Sequence, residues 1–238
     1  MGKKHSAIIL AAGSGSRMRM DIPKQFLDIQ GKPAVYYPLK TFEDSFIDEI
    51  VLVTGDEWID FCREEIIRRY GLRKVKAIVP GGAQRYDSVF NGLKELPEAD
   101  YIYIHDGARI FITDDILNRG RMCAMEYRAC AAGMPVKDTI KIVDEDDLVI
   151  STPPRDYVWQ IQTPQIFSAG LIKAAYNQLI TFADPKSMAI TDDAMVVEKM
   201  TGVRVKLFEG SYENIKITTP DDLRIARSHK FTIKARSQ

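Results

Sequence analysis

The chain has 238 residues, 45% hydrophobic and 28% charged, which suits a globular α/β protein with a sizeable core. Lysine plus arginine (33) equals aspartate plus glutamate (33), which excludes a bulk basic field for nucleic acid or an anionic membrane surface. Cys62, Cys123 and Cys130 form no C-x-x-C pair and His5, His105 and His229 are the only histidines, which argues against a disulfide framework, a zinc site or a His-rich metal site.

The N-terminus runs straight into a strand-like stretch with no apolar run of signal or membrane-span length, so a cytoplasmic protein without a membrane partner is expected. β-branched or aromatic runs predict strands over 7–10, 49–54, 75–79, 101–105, 131–135 and 203–208. Amphipathic patterns predict helices over 57–70, 86–96, 114–128, 169–180 and 193–200. The alternation implies an α/β fold, a mostly parallel sheet with helices on both faces, in one domain spanning 1–238. Ligands of such sheets bind at the carboxyl ends of the strands.

Residues 138–160 break this rhythm. Two short alternating runs flank the acidic turn Glu145-Asp146-Asp147, and Pro153 and Pro154 stop the second, which reads as a β-hairpin arm. A lone hairpin buries too little to be stable, so it must pack on the domain or on another subunit. From about residue 229 the chain reads as a frayed basic tail.

The sharpest motif follows the first strand: Ala11-Ala12-Gly13-Ser14-Gly15-Ser16-Arg17, then Pro23-Lys24-Gln25. Two glycines let the backbone approach a ligand, Arg17 can fork onto phosphate oxygens, and Lys24 adds a compact cation. The string is neither a G-x-G-x-x-G fingerprint, since Met18 fills the third position, nor a Walker loop. After the third strand, Gly81-Gly82 with Ser88 can supply the donors and acceptor that read a pyrimidine edge; a plain structural turn fits them equally well. After the fourth come His105-Asp106 and Arg109. Asp106 is placed to hold Mg²⁺ or to cap the next turn, and His105 reads as a packed strand-end residue rather than a base. Lys216 falls in an alternating run read as a strand, opposite Ile215 and Ile217, with a solvated face as the competing reading.

Together these strings, with Arg85-x-Asp87-Ser88, Asp138-Thr139, Thr163-Pro164-Gln165, Thr191-Asp192-Asp193 and Asn214-Ile215-Lys216, resemble the 2-C-methyl-D-erythritol 4-phosphate cytidylyltransferase family of isoprenoid synthesis. The resemblance runs in order from about residue 6 to 226. It implies a Rossmann-like nucleotidyltransferase sheet and transfer of CMP from CTP to the sugar-alcohol phosphate, with release of pyrophosphate and a requirement for Mg²⁺ or another divalent cation. By the same resemblance Arg17, Lys24, Arg155 and Lys216 are catalytic, and Ala11 to Ser16, Gly82, Ser88 and Asp106 line the nucleotide site. Arg109, Thr139 and Thr163 hold the acceptor. It also implies a homodimer whose arm crosses over, so that Thr139 and Arg155 serve the neighbour's site. Three departures stand out. Ile110 replaces the usual proline and would loosen its loop, Pro38 is expected to kink a helix over 34–42, and Pro153-Pro154-Arg155-Asp156 lacks the common Asp-Arg pairing. Ribitol 5-phosphate cytidylyltransferase shares the first loop and the His-Asp segment and is the alternative; a nucleotide-binding protein without turnover is the second. The Trp159-to-Gln165 and Glu213-to-Thr218 strings favour methylerythritol phosphate.

Overall fold

Strand β1 (His5–Ala11) sends Ala7, Ile9 and Ala11 to one face and Ile8 to the other, all essentially inaccessible to solvent. Such two-sided burial is what a central parallel strand requires. The computed structural model describes residues 2–13, 22–182, 185–229 and 231. Around β1 are arranged β4 (Glu49–Thr54), β5 (Val75–Pro80), β6 (Tyr101–Asp106), β7 (Ala129–Pro135), β10 (Trp159–Ser168) and β11 (Lys206–Glu209). Their order is β11-β7-β10-β6-β1-β4-β5. β10 alone runs antiparallel, pairing Gln165 with Ile104 of β6 and Ala131 of β7. This is the expected Rossmann-like, mostly parallel sheet.

One face is covered by α1 (Tyr36–Asp44), by helical turns over 56–70 and by α4 (Asp114–Tyr127). The other carries α3 (Arg85–Lys94), α5 (Ala169–Thr181) and α6 (Asp193–Thr201). A third cluster joins Leu27, Ile29, Tyr37, Ile110 and Phe111 to Leu223 and Ala226 of α7 (Pro220–Ser228). Among the described residues no helix is long and apolar enough to cross a membrane.

Several expectations are corrected. No strand was predicted for β10, because Gln160, Gln162, Thr163 and Pro164 break the apolar pattern; the ladder with β7 skips from Ile161 to Gln165, so Pro164 is never asked for a missing N–H. The strand predicted over 203–208 is only β11, and two short strands, β2 (Asp28–Ile29) and β3 (Lys32–Pro33), went unread. The helix predicted over 57–70 is a 3-10 turn (Asp56–Trp58), a short α2 (Ile59–Phe61) and wider π turns (Cys62–Arg68) that bury both Cys62 and Ile66. Pro38 does not interrupt a helix: α1 begins at Tyr36, so the proline lies in the first turn, where its missing N–H has no intrahelical partner. Ile110 is 2% exposed and helps bury Phe111 and Tyr37 rather than loosening its loop. Of the expected frayed tail, His229 and Phe231 are packed, Phe231 stacking on Tyr37 at 4.0 Å and His229 edge-on to Phe111.

The arm is present as β8 (Ile142–Val143) and β9 (Val149–Ser151), paired antiparallel. Asp147 turns the hairpin with φ 62°. The arm carries exposed Ile142, Val143, Leu148, Val149 and Ile150.

Candidate active site

The loops expected to bind nucleotide meet at the carboxyl ends of β1, β4, β5 and β6. Gly81 N–H donates to the Thr54 carbonyl (2.7 Å) and Gly107 N–H to the Leu10 carbonyl (2.8 Å), which ties β5 to β4 and β6 to β1, and the pairing of Ala11 with Thr54 joins the two into one rim. Gly81 passes so close to β1 that a Cβ there would overlap the Ala12 methyl, and a Cβ on Gly82 would overlap Asp87. Only glycine lets these two loops touch. Gly82 N–H donates to Ser88 Oγ (3.0 Å), fixing that hydroxyl at the start of α3. Ala12 and Gly13 line this rim; Ser14, Gly15, Ser16 and Arg17 lie outside the described residues. Lys24 opens a 3-10 turn (Lys24–Phe26), with Gln25 and Phe26 buried beneath it.

At the end of β6 stands Asp106, 8% exposed. Lys216 Nζ lies 2.7 Å from its Oδ2, Arg85 Nε 3.6 Å from Oδ1, and Arg109 Nε 3.8 Å from Oδ2. Burial alone would raise its pKa; Arg85, Lys216 and Arg109 outweigh burial and hold the carboxyl well below the usual range. Arg85 is itself clamped in a bidentate pair by Asp193 (2.8 and 2.7 Å), a fully buried carboxylate that also accepts from Tyr176 Oη at 2.6 Å. Burial opposes the charge on Arg85, and Asp193 and Asp106 more than restore it. Three cations therefore surround two carboxylates, leaving one positive charge in excess at a half-buried rim. That arrangement favours an anion.

Arg109, Thr163 and Lys216 are brought together as expected, though by different means. Arg109 spends its guanidinium on the carbonyls of Asn214 (2.9 Å) and Ile161 (3.4 Å). Asn214, with no accessible surface, donates to the Thr163 carbonyl (2.9 Å), and Ile217 N–H donates to the Ala108 carbonyl (2.9 Å). Lys216 is thus bracketed by two anchors in an irregular segment; the strand expected there is not formed, and its side chain meets Asp106 rather than a solvated face.

Thr163, 3% exposed, has its hydroxyl beneath the site, where it accepts from the Asp106 N–H (3.1 Å) and meets His105 Nδ1 (3.0 Å). His105 Nε2 faces the Arg109 carbonyl at 3.0 Å and must carry the proton, so Nδ1 accepts from Thr163. The neutral ring is fully satisfied, and a second proton would deprive the Thr163 O–H of its acceptor. Burial first of all brings the His105 pKa down to about 4. A base held neutral in the native state takes up its proton only on unfolding, so between pH 6.5 and about 4 acid favours the unfolded chain. We predict that His105 costs about 3 kcal/mol of stability over that window. The comparison is of denaturation midpoints at pH 7 and pH 4.5 for wild type and His105→Gln. The variant should lose less on acidification, and an equal loss would refute the assignment. Asp106, whose pKa is lowered, acts only below that window, since its stabilisation is lost as pH falls beneath the usual carboxylate range.

Thr139 and Arg155 are not gathered with the others. Both are exposed on the arm, and Arg155 donates to the Lys137 carbonyl at 3.3 Å. Nor do the residues present fit a resident metal at Asp106: it is a single carboxylate already matched by three cations, and no group of three His, Cys, Asp or Glu that could hold a metal occurs among the described residues. Sequence reasoning gave no role to Arg85, Asp193, Tyr176, Gln25 or Asn214. Arg85 had a signal, an arginine three residues after paired glycines, but its partner lies 108 residues later.

Loops meeting at the carboxyl ends of β1 and β6, with Arg85, Arg109 and Lys216 gathered around Asp106, fit a nucleotidyltransferase, whose chemistry needs charge and alignment more than proton transfer. A model of the family described as 2-C-methyl-D-erythritol 4-phosphate cytidylyltransferase matches residues 5–230, and the chain belongs to this family. A protein of that name from Lachnospira eligens is 48% identical over 223 residues, covering 93% of this chain and 97% of the relative. One from Alkaliphilus oremlandii is 48% identical over 225 residues, covering 94% and 93%. Among solved structures, the 4-diphosphocytidyl-2C-methyl-D-erythritol synthase of Anaerococcus prevotii superposes with a TM-score of 0.82 at 35% identity, covering 94% and 95% of the two chains.

Proposed function

We propose that the chain transfers a cytidylyl group from CTP to 2-C-methyl-D-erythritol 4-phosphate, releasing pyrophosphate. A phosphate oxygen of the acceptor attacks the α-phosphorus, a new P–O bond forms, and the bond to the β-phosphate oxygen breaks. The acceptor phosphate is already largely dianionic at neutral pH (second pKa near ~6), so no base is required. The obstacle is the meeting of two polyanions. Lys24, Arg17 and Lys216 offset that charge, and a divalent cation enters with the CTP phosphates as part of the substrate. The observation that carries this reading is the Lys216–Asp106 pair, steadied by Arg85 and Arg109, at the rim shared with the first loop.

The arm supports a homodimer. Its apolar side chains face solvent, and Tyr157 nearby is 86% exposed, so a second copy is the natural cover. In that assembly Thr139 and Arg155 serve the neighbouring site. A reducing cytoplasm as the compartment rests on the cysteine pattern, three residues with no C-x-x-C pair.

The test mixes purified protein with CTP, Mg²⁺ and either 2-C-methyl-D-erythritol 4-phosphate or D-ribitol 5-phosphate, following pyrophosphate. Release with the first alone is expected, and release with ribitol phosphate alone overturns the acceptor. The mass in solution of the same preparation should be twice that of the chain; a monomer would remove the role given to the arm.

A further inference from the structure

Gln25 has the Lys24–Phe26 turn on one side and the start of the nucleotide loop on the other. Its side chain is 3% exposed, and its Nε2 lies 2.5 Å from the Ala11 carbonyl and 3.0 Å from the Gly13 carbonyl. Its own backbone is fixed elsewhere: Val35 N–H donates to the Gln25 carbonyl (2.8 Å), Phe26 N–H to the Pro23 carbonyl (2.8 Å), and the Phe26 ring stacks on Trp58 at 4.7 Å. The turn is therefore anchored to the scaffold, and one amide group ties both the end of β1 and the first loop glycine to it.

We propose that Gln25 is a positioning residue for the nucleotide, whose side-chain amide ties Ala11 and Gly13 to the Lys24–Phe26 turn and so sets Lys24 at a fixed distance from Ala11–Gly13. The inference rests on the proposed function, since it assumes that Ala11–Gly13 and Lys24 receive CTP.

The chemistry selects glutamine. Two acceptors converge on one nitrogen with two hydrogens, so both donors are used. Glutamate of the same shape offers only acceptors, methionine offers neither, and asparagine is one methylene shorter. Without the amide the Ala11 and Gly13 carbonyls lose their shared partner in the Lys24–Phe26 turn. The loss should appear in nucleotide binding, because Gln25 meets none of Asp106, Arg109 or Lys216 in the hydrogen bonds described above.

The experiment compares wild type, Gln25→Met and Gln25→Glu by calorimetric titration with CTP and Mg²⁺, by KM for CTP and for the acceptor, and by thermal midpoint. Gln25→Met should raise the Kd and KM for CTP about tenfold or more, with the acceptor KM unchanged. An unchanged CTP Kd, or an equal rise in both KM values, overturns the proposal, the second outcome marking general loosening. Gln25→Glu gives an independent reading and serves alone if the methionine variant does not fold. Its CTP defect relative to wild type should shrink from pH 8 towards pH 5.5, as a carboxyl facing two carbonyls takes a proton and regains one donor; a constant ratio counts against the role. Wild-type binding of CTP without turnover sinks the transferase reading alone, and the titrations still decide Gln25.

Discussion

Lys24→Ala should lower kcat about a hundred- to a thousandfold, the range seen when one preorganised charge-stabilising group is removed from a transition state. Lys24 is half-buried and the buried members of its turn are Gln25 and Phe26, so the rate should suffer far more than the thermal midpoint. The turn would still be held by the Val35 and Phe26 backbone bonds. What disappears is a compact cation beside the loop where charge on the transferring phosphoryl group and the departing pyrophosphate is greatest. Arginine keeps the charge but spreads it over a planar fork, so Lys24→Arg should recover part of the rate. Steady-state pyrophosphate release at saturating CTP decides the matter. A near-wild-type rate for the alanine variant takes Lys24 out of the reaction.

Asp193→Ala should destabilise the protein by about 3 kcal/mol, the scale for removing one partner of a buried ion pair. The substitution leaves the Tyr176 hydroxyl without its carboxylate inside the core and frees Arg85 from its bidentate clamp. Arg85 is about one-third exposed and can recover some hydration, whereas the Tyr176 hydroxyl cannot. For a chain of this size the thermal midpoint should fall by about 10 °C. Pairing the change with Tyr176→Phe should return part of the loss, since the orphaned hydroxyl goes too. A midpoint within 2 or so degrees of wild type, roughly the size of a surface change, would show that the network is not structural.

Both predictions rest on residues the sequence marked unequally. The inner strands β1, β4, β6 and β7 were legible because their side chains are buried on both faces, and β4 was predicted residue for residue. β10 was not, because its middle carries the polar Gln162 and Thr163 and a proline, which belong to the site and to a break in pairing. Local pattern exposes Gly81 and Gly82 readily, since close backbone approach needs glycine wherever it occurs. It does not expose that Arg85 and Lys216, from distant parts of the chain, join the neighbouring Arg109 around Asp106. Lys216 illustrates the limit: its alternation with Ile215 and Ile217 reads as a strand facing water, and only the anchors at Asn214 and Ile217 turn it inward.

β10 also has a mechanical meaning. It leaves the foot of the arm at Trp159 and ends at Ser168, and between them lie Gln162, Thr163 and Gln165. Thr163 holds the Asp106 amide and His105, while Gln165 Nε2 donates to Asp192 (2.9 Å) and its Oε1 accepts from Ala194 N–H (2.8 Å) at the start of α6. The projecting hairpin and the floor of the site are thus joined in series, through the turn at Arg155–Tyr157 and a strand whose ladder with β7 is interrupted between Ile161 and Gln165. A body that grips the hairpin holds a handle, and the interruption beside Thr163, next to Asp106, is where a pull on it would be taken up.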